Sequence, residues 1–239
     1  MKTIYLYFIH GFLQDNSVWS EISYKILINS SNVKKHYVDL LNSISPTAED
    51  WSKNFNDNIE RSANNLNVVI GYSLGGRLAM QAIADAPCLW DAGILIGAHP
   101  GFKTEQEKND SLSFDLKWAE KFKQESFNSL LKEWNSLLIF GNKPNDFMPD
   151  QKYKNIYSEI CKNYSKGLQP DLTEKIIKSG VPILYISGSN DLKYKTIGNS
   201  LANISKNIKH VVIENSFHRV PWENKNVFIK TVNDFLQNL

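Results

Sequence analysis

Cysteine, arginine and long apolar runs are scarce in this 239-residue chain. Its two cysteines, Cys88 and Cys161, do not form a Cys-x-x-Cys ligand pair, so neither a disulfide framework nor a structural metal is expected. A chain of this length buries roughly 70–75% of its unfolded surface and needs no such staple; the expectation is a reduced, cytoplasmic protein. No stretch approaches 18 consecutive apolar residues, which excludes a membrane-spanning helix. The apolar start Ile4 to Ile9 lacks a small-residue cleavage site and runs straight into His10-Gly11, so it reads as a buried strand and not as a signal peptide. An excess of one charge is also missing. The 27 Lys+Arg and 25 Asp+Glu leave a formal charge of +2, with no dense basic run, and nucleic acid is not an expected partner. Walker, Gly-x-Gly-x-x-Gly and His-Glu-x-x-His motifs are absent, so no cofactor and no metal are expected. Arginine occurs only as Arg61, Arg77 and Arg219, and a planar, two-pronged carboxylate clamp has only these to draw on.

What is present is a recurrence of short apolar runs with helical patterns between them. Ile4 to Ile9, His36 to Leu40, Leu66 to Ile70, Ala92 to Ile96 and Val181 to Ser187 read as strands, and His210 to Ile213 as a sixth. Near-continuous apolar strands separated by helices imply an α/β fold with a mainly parallel sheet covered on both faces. After Ser73, residues Leu74, Leu78, Ala79, Ala82, Ile83 and Ala86 recur at helical spacing and Pro87 ends the run. Ser17 is placed to cap a helix reaching about Leu27. Trp222 to Leu239 reads as a closing helix with Val227, Phe228, Val232 and Phe235 inward. The alternation breaks between about Lys103 and Lys178. That segment is expected to form a helical cap (103–178) inserted in a core of 1–102 and 179–239, over the strands' carboxyl ends, where open α/β sheets bind ligands.

Gly71-Tyr72-Ser73-Leu74-Gly75 matches Gly-x-Ser-x-Gly between a strand and a helix, the setting that gives this motif meaning. A sharp turn there projects the serine hydroxyl at a helix N-terminus, where developing negative charge is favoured. A weakly acidic hydroxyl needs a base, and the chain order Ser, Asp, His of such folds points to Asp191, after Val181 to Ser187, and His218, before the closing helix. His10, His36, His99 and His210 compete with His218, and Asp115 and Asp171 with Asp191. His10-Gly11-Phe12 ends the first strand, so the backbone N–H groups of Phe12 and Leu74 are candidate oxyanion donors.

Taken together, His10-Gly11-Phe12, Gly71-Tyr72-Ser73-Leu74-Gly75-Gly76-Arg77, Asp191 and His218 resemble the α/β-hydrolase fold superfamily across nearly the whole chain. Gly97-Ala98-His99-Pro100-Gly101, Asp115-Leu116-Lys117-Trp118 with Phe122, Gln169-Pro170-Asp171-Leu172 and Gly188-Ser189-Asn190-Asp191-Leu192-Lys193-Tyr194 narrow this. They are similar to the 2-succinyl-6-hydroxy-2,4-cyclohexadiene-1-carboxylate synthase (MenH) family of menaquinone and phylloquinone biosynthesis. The resemblance implies a lyase that abstracts a proton alpha to a carbonyl and expels pyruvate by 2,5-elimination, with Ser73, His218 and Asp191 as the base and Phe12 and Leu74 as the oxyanion hole.

Such a small-molecule substrate is a polycarboxylate. Arg77, one helical turn past Ser73, can make paired hydrogen bonds to a carboxylate, and its alternative is a solvated helix residue. Tyr72 can add a hydroxyl, and Trp118 and Trp134 either line the cap side or simply pack it. The family's cap arginines have no arginine counterpart here, which leaves lysines such as Lys103, Lys108 or Lys162 to supply the charge. The alternative within the same fold is a serine carboxylesterase or thioesterase, for example a pimeloyl-carrier-protein methyl ester esterase, with Ser73 as covalent nucleophile. A non-catalytic binding protein has no need of Ser73, Asp191 and His218 together.

Overall fold

A computed structural model describes residues 3–27, 32–143 and 145–239. Six strands, β1 (Thr3–Ile9), β2 (Asn32–Val38), β3 (Asn65–Tyr72), β4 (Ala92–Ile96), β5 (Ile183–Gly188) and β6 (Ile208–Ile213), form one sheet in the order β2-β1-β3-β4-β5-β6. Every pairing is parallel. The helices are α1 (Ser20–Tyr24), α2 (Ala48–Asn56), α3 (Leu74–Asp85), α4 (Glu105–Gln124), α5 (Phe127–Asn135), α6 (Lys154–Asn163), α7 (Thr173–Ser179), α8 (Leu192–Ile204), α9 (Val220–Glu223) and α10 (Lys225–Leu236). This is the α/β-hydrolase fold expected from the sequence.

Alternate residues of the central strands feed two cores. Leu6, Phe8, Ile70, Ile94 and Ile186 pack with Trp19, Ile22, Phe228 and Val232 on one face. Tyr7, Ile9, Val69, Leu95 and Tyr185 pack with Leu78, Ile83 and Leu201 on the other. Burial on both faces is why these strands read as unbroken apolar runs.

Register aligns the carboxyl ends. Ile9 lies opposite Gly71, Tyr72 opposite Ile96, and Ile96 opposite Ile186. The segments that leave these strands therefore start from one rim. Helices α4, α5 and α6 lie in the chain between β4 and β5, and α4 packs on α6. Ser158 Oγ donates to Ala119 O (2.8 Å) across that contact. Phe122, Trp134 and Tyr157 from these helices stand edge-on to Phe12, just past β1, with ring centroids 5.0–5.7 Å away. Helix α7, at the end of the same segment, packs on α3 of the core.

Three local readings differ from the sequence expectation. β2 starts at Asn32 and ends at Val38, not Leu40, because the Asp39 carboxylate turns the chain by accepting from Leu41 N–H (3.1 Å) and Asn42 N–H (3.3 Å). Its Lys34-Lys35 pair suits an edge strand and hid the first half from an apolar search. Asp15, not Ser17, caps the first helical turn, accepting from Ser17 N–H, and the helix stops at Tyr24. The closing helix is broken at Asn224 into α9 and α10; Ile229 and Leu236 turn inward with Phe228 and Val232, whereas Val227 faces solvent.

Candidate active site

Ser73 sits between β3 and α3 with φ 52° and ψ −109°, a backbone state that costs a non-glycine residue on the order of 1–3 kcal/mol. The turn is held by close packing. A Cβ on Gly71 would lie 2.3 Å from Gly75 O, and one on Gly75 would lie 2.4 Å from Ile9 O, so only hydrogen fits at either place. Ser73 N–H donates to Ile96 O (2.8 Å), tying the elbow to β4.

His218 arrives from the loop after β6. Its Nδ1–H donates to Asp191 Oδ2 (2.6 Å) and its Nε2 accepts from Ser73 Oγ–H (3.0 Å); the carboxylate only accepts, which fixes this tautomer. Asp191 and His218 are each 3% exposed. The imidazole is packed by Tyr194 and Tyr72, with centroids at 4.6 and 5.4 Å. Gly97, with φ +54°, leaves it room: a Cβ there would lie 2.7 Å from His218 Cε1. Glu223 accepts from both Phe217 N–H (2.7 Å) and Arg219 N–H (2.9 Å), pinning the backbone on either side of His218. His218 N–H donates to Ile139 O (3.3 Å), and the Arg219 guanidinium lies 3.8 Å from the centroid of the Phe140 ring while bonding Asn135 Oδ1.

The competing histidines are occupied elsewhere. His10 donates from Nδ1 to Gly11 O (2.8 Å) and accepts at Nε2 from Leu40 N–H (3.2 Å), and burial lowers its pKa, so it is a neutral structural link. His210 joins Ser187 to Asn199. His36 stacks on Tyr7. His99 accepts from Gly101 N–H (3.1 Å); burial, then Lys193, Lys166 and Arg77, push its pKa down to about 3. Asp171 is used by Thr173 at the start of α7 (3.0 Å). Among the described residues no acceptor takes the Phe12 or Leu74 backbone N–H, and both residues border the cavity at Ser73.

The cavity has two lobes that share Phe12, Ser73, Trp134, Lys166 and Tyr194. The larger, about 390 Å³, adds His218, Tyr72, Lys193 and an apolar wall of Phe114, Leu137, Leu138, Ile139 and Phe140. The smaller, about 90 Å³, adds Arg77, Asp115, Leu74, Ile160, Cys161 and Tyr164. Arg77 reaches the small lobe while its guanidinium donates to Gln169 Oε1 (2.9 Å) and Tyr164 O (2.6 Å); it is a latch between α3 and the segment before α7 as well as a cavity cation. Trp118, a candidate substrate contact from the sequence, lines neither lobe and stands behind Trp134, edge-on at 4.9 Å. Tyr72 is wedged between His218 and Trp222, with only 4% exposure.

The lysines that line the cavity are not those expected from the sequence. Lys108 pairs with Glu105 and Lys162 with Glu159 at the surface, and Lys103 is exposed. Lys166 lines both lobes and Lys193 the larger one. Burial, outweighing the attraction of Asp115, pushes the Lys166 pKa down to about 8. The sequence signals were position for Lys166, just before the Gln169-Pro170-Asp171-Leu172 segment, and for Lys193 its place in the Gly188 to Tyr194 segment.

No family model matches the chain. A Photorhabdus laumondii 2-succinyl-6-hydroxy-2,4-cyclohexadiene-1-carboxylate synthase is 30% identical over 179 residues, covering 70% of this chain and 61% of that protein. A Haemophilus influenzae protein provisionally assigned the same activity is 29% identical over 249 aligned positions, 96% of each chain. Among solved structures, MenH from S. aureus superposes with a TM-score of 0.88 at 21% identity, covering all of this chain and 95% of that one. Relatives and architecture agree: the chain has the α/β-hydrolase fold and is similar in sequence to the 2-succinyl-6-hydroxy-2,4-cyclohexadiene-1-carboxylate synthases.

Proposed function

We propose that this enzyme is a 2-succinyl-6-hydroxy-2,4-cyclohexadiene-1-carboxylate synthase that uses Ser73, His218 and Asp191 as a composite base. The observation that carries the reading is the unbroken line Asp191–His218–Ser73, at 2.6 and 3.0 Å, opening into a cavity with more cations than anions. Ser73 Oγ takes the proton alpha to the substrate carbonyl as His218 Nε2 takes the hydroxyl proton, and Asp191 stabilises the resulting imidazolium. The electron pair from the broken C–H bond moves through the conjugated system to form a new C=C bond, and the C–O bond to the enolpyruvyl group breaks. The departing enolpyruvate regains the proton and becomes pyruvate. Enolate charge on the carbonyl oxygen falls to the N–H groups of Phe12, just past β1, and Leu74, at the start of α3. Arg77, Lys166 and Lys193 hold the carboxylates; Tyr72 braces the imidazole and Trp134 walls both lobes.

The test is pyruvate release from freshly generated 2-succinyl-5-enolpyruvyl precursor by wild type and Ser73→Ala, with a panel of small esters in parallel. Fast release that depends on Ser73, with slow ester cleavage, is the expected result. Brisk ester turnover without pyruvate makes the enzyme a serine esterase or thioesterase with the same three residues. Full lyase activity in Ser73→Ala removes the composite base.

A further inference from the structure

The two lobes differ in size and in charge, and this difference orients the substrate. The small lobe holds about 90 Å³, less than a quarter of its neighbour's 390 Å³. That is room for roughly three waters, enough for a three-carbon acid and too little for a substituted six-membered ring. Its ionisable lining is Arg77 and Lys166 against Asp115, which leaves one uncompensated positive charge; Cys161, raised by burial, stays a thiol. Among the described residues Lys166 makes no ion pair and no hydrogen bond, and Asp115 is engaged by Ser165 Oγ (2.7 Å). A half-buried ammonium without a partner carries a desolvation cost that an incoming carboxylate relieves. The large lobe, with its apolar wall and the single further cation Lys193, suits a ring with an acyl arm.

We infer that the small lobe is a subsite for a 2-oxo monocarboxylate, the leaving pyruvyl group of the reaction, with Lys166 as the cation that determines its recognition. The inference rests on the proposed function, since that reading supplies a three-carbon acid as leaving group. Lys166 meets the carboxylate where the lobes join, with Ser73 on the same shared wall, and Arg77 lines only the small lobe of the two, kept in place by Gln169 and Tyr164. The ring and its acyl arm then lie toward His218 and Lys193.

Pyruvate itself is the probe, titrated against the enzyme at pH 7 by ligand-observed NMR. Wild type is expected to bind with a Kd of roughly millimolar order, the strength reached by a ligand of about six heavy atoms. Lys166→Met should weaken binding about ten-fold or more, Lys166→Arg should restore most of it, and Lys193→Gln should change it less than about two-fold. Absence of saturable binding in wild type, or equal weakening by Lys193→Gln and Lys166→Met, overturns the subsite. Pyruvate release from the precursor, assayed on the same preparations, separates the two claims. Release by an enzyme that does not bind pyruvate refutes the subsite alone. Lys166-dependent binding without release refutes the lyase reading and keeps a carboxylate subsite.

Discussion

Gly97→Ala, set against a control for backbone strain, tests the placement of the imidazole. The added methyl would sit 2.7 Å from His218 Cε1 and 2.9 Å from Nδ1. Ordinary contact begins at 3.4 Å, so the ring must retreat by about 0.7 Å, which breaks its alignment with Ser73. Because a misplacement near 1 Å costs on the order of 10²-fold, kcat should fall by about that factor. Gly97 has φ +54°, so alanine also brings backbone strain of about 1–2 kcal/mol. Gly180 supplies the control: its φ is +69°, yet nothing lies within 4 Å of a Cβ there. Gly180→Ala should carry the same strain, lowering Tm by about 2–8 °C for a chain of this size, and leave kcat unchanged. Both variants are assayed by pyruvate release, or by ester cleavage if that is the activity found, and by thermal unfolding. A Gly97→Ala enzyme within about three-fold of wild-type kcat, or equal kinetic losses in the two variants, would refute His218 as a positioned base.

Asp191→Asn removes the acceptor that fixes the His218 tautomer and should lower kcat by about 10³–10⁴-fold with little change in KM; a loss under ten-fold, measured by pyruvate release, would move the acid elsewhere. Arg77→Ala should reduce stability by about 1–3 kcal/mol, because Tyr164 O and Gln169 Oε1 lose their donor, in addition to weakening carboxylate binding; an unchanged Tm would show that the latch contributes nothing. Lys166 is held near a pKa of about 8 by burial, with Arg77 and Lys193 opposing its charge and Asp115 and Cys161 favouring it. It is therefore charged at pH 7, and KM for the precursor should rise as pH passes through 8, a limb that Lys166→Arg abolishes. The sign for stability is the opposite. A lysine pKa lowered by folding costs stability below that pKa and is relieved as pH climbs toward the unfolded value near 10.4, so Lys166→Met should raise Tm at pH 7 and lose this advantage in alkaline buffer.

The strands that are buried on both faces were legible because burial writes an unbroken apolar run, as in Leu66 to Ile70. The edge strand was not: Lys34 and Lys35 interrupt it after Val33, and no apolar run forms until Tyr37-Val38 at its end. The elbow could be read because two glycines and a serine at fixed spacing leave few other backbone solutions. Tryptophans 118 and 134 look alike in sequence, and only the packing of one behind the other separates a buried prop from a cavity wall. Lys166 was illegible for a related reason. A lysine carries no periodic signature, and its environment is set by Arg77 and Asp115, which are distant in the chain.

The link from His218 N–H to Ile139 O, together with the reach of Arg219 to Asn135, makes the covering segment and the base one mechanical unit. A fluctuation that lifts residues 135–143 from the core takes a backbone hydrogen bond from the residue that bears the imidazole and a partner from the residue after it. On the proposed mechanism, an open segment is thus an unarmed one, since the imidazole loses its backbone anchor whenever residues 135–143 lift. Amide exchange at His218 should accordingly report this opening, whereas the Arg219 amide, bonded to Glu223, should stay protected through it.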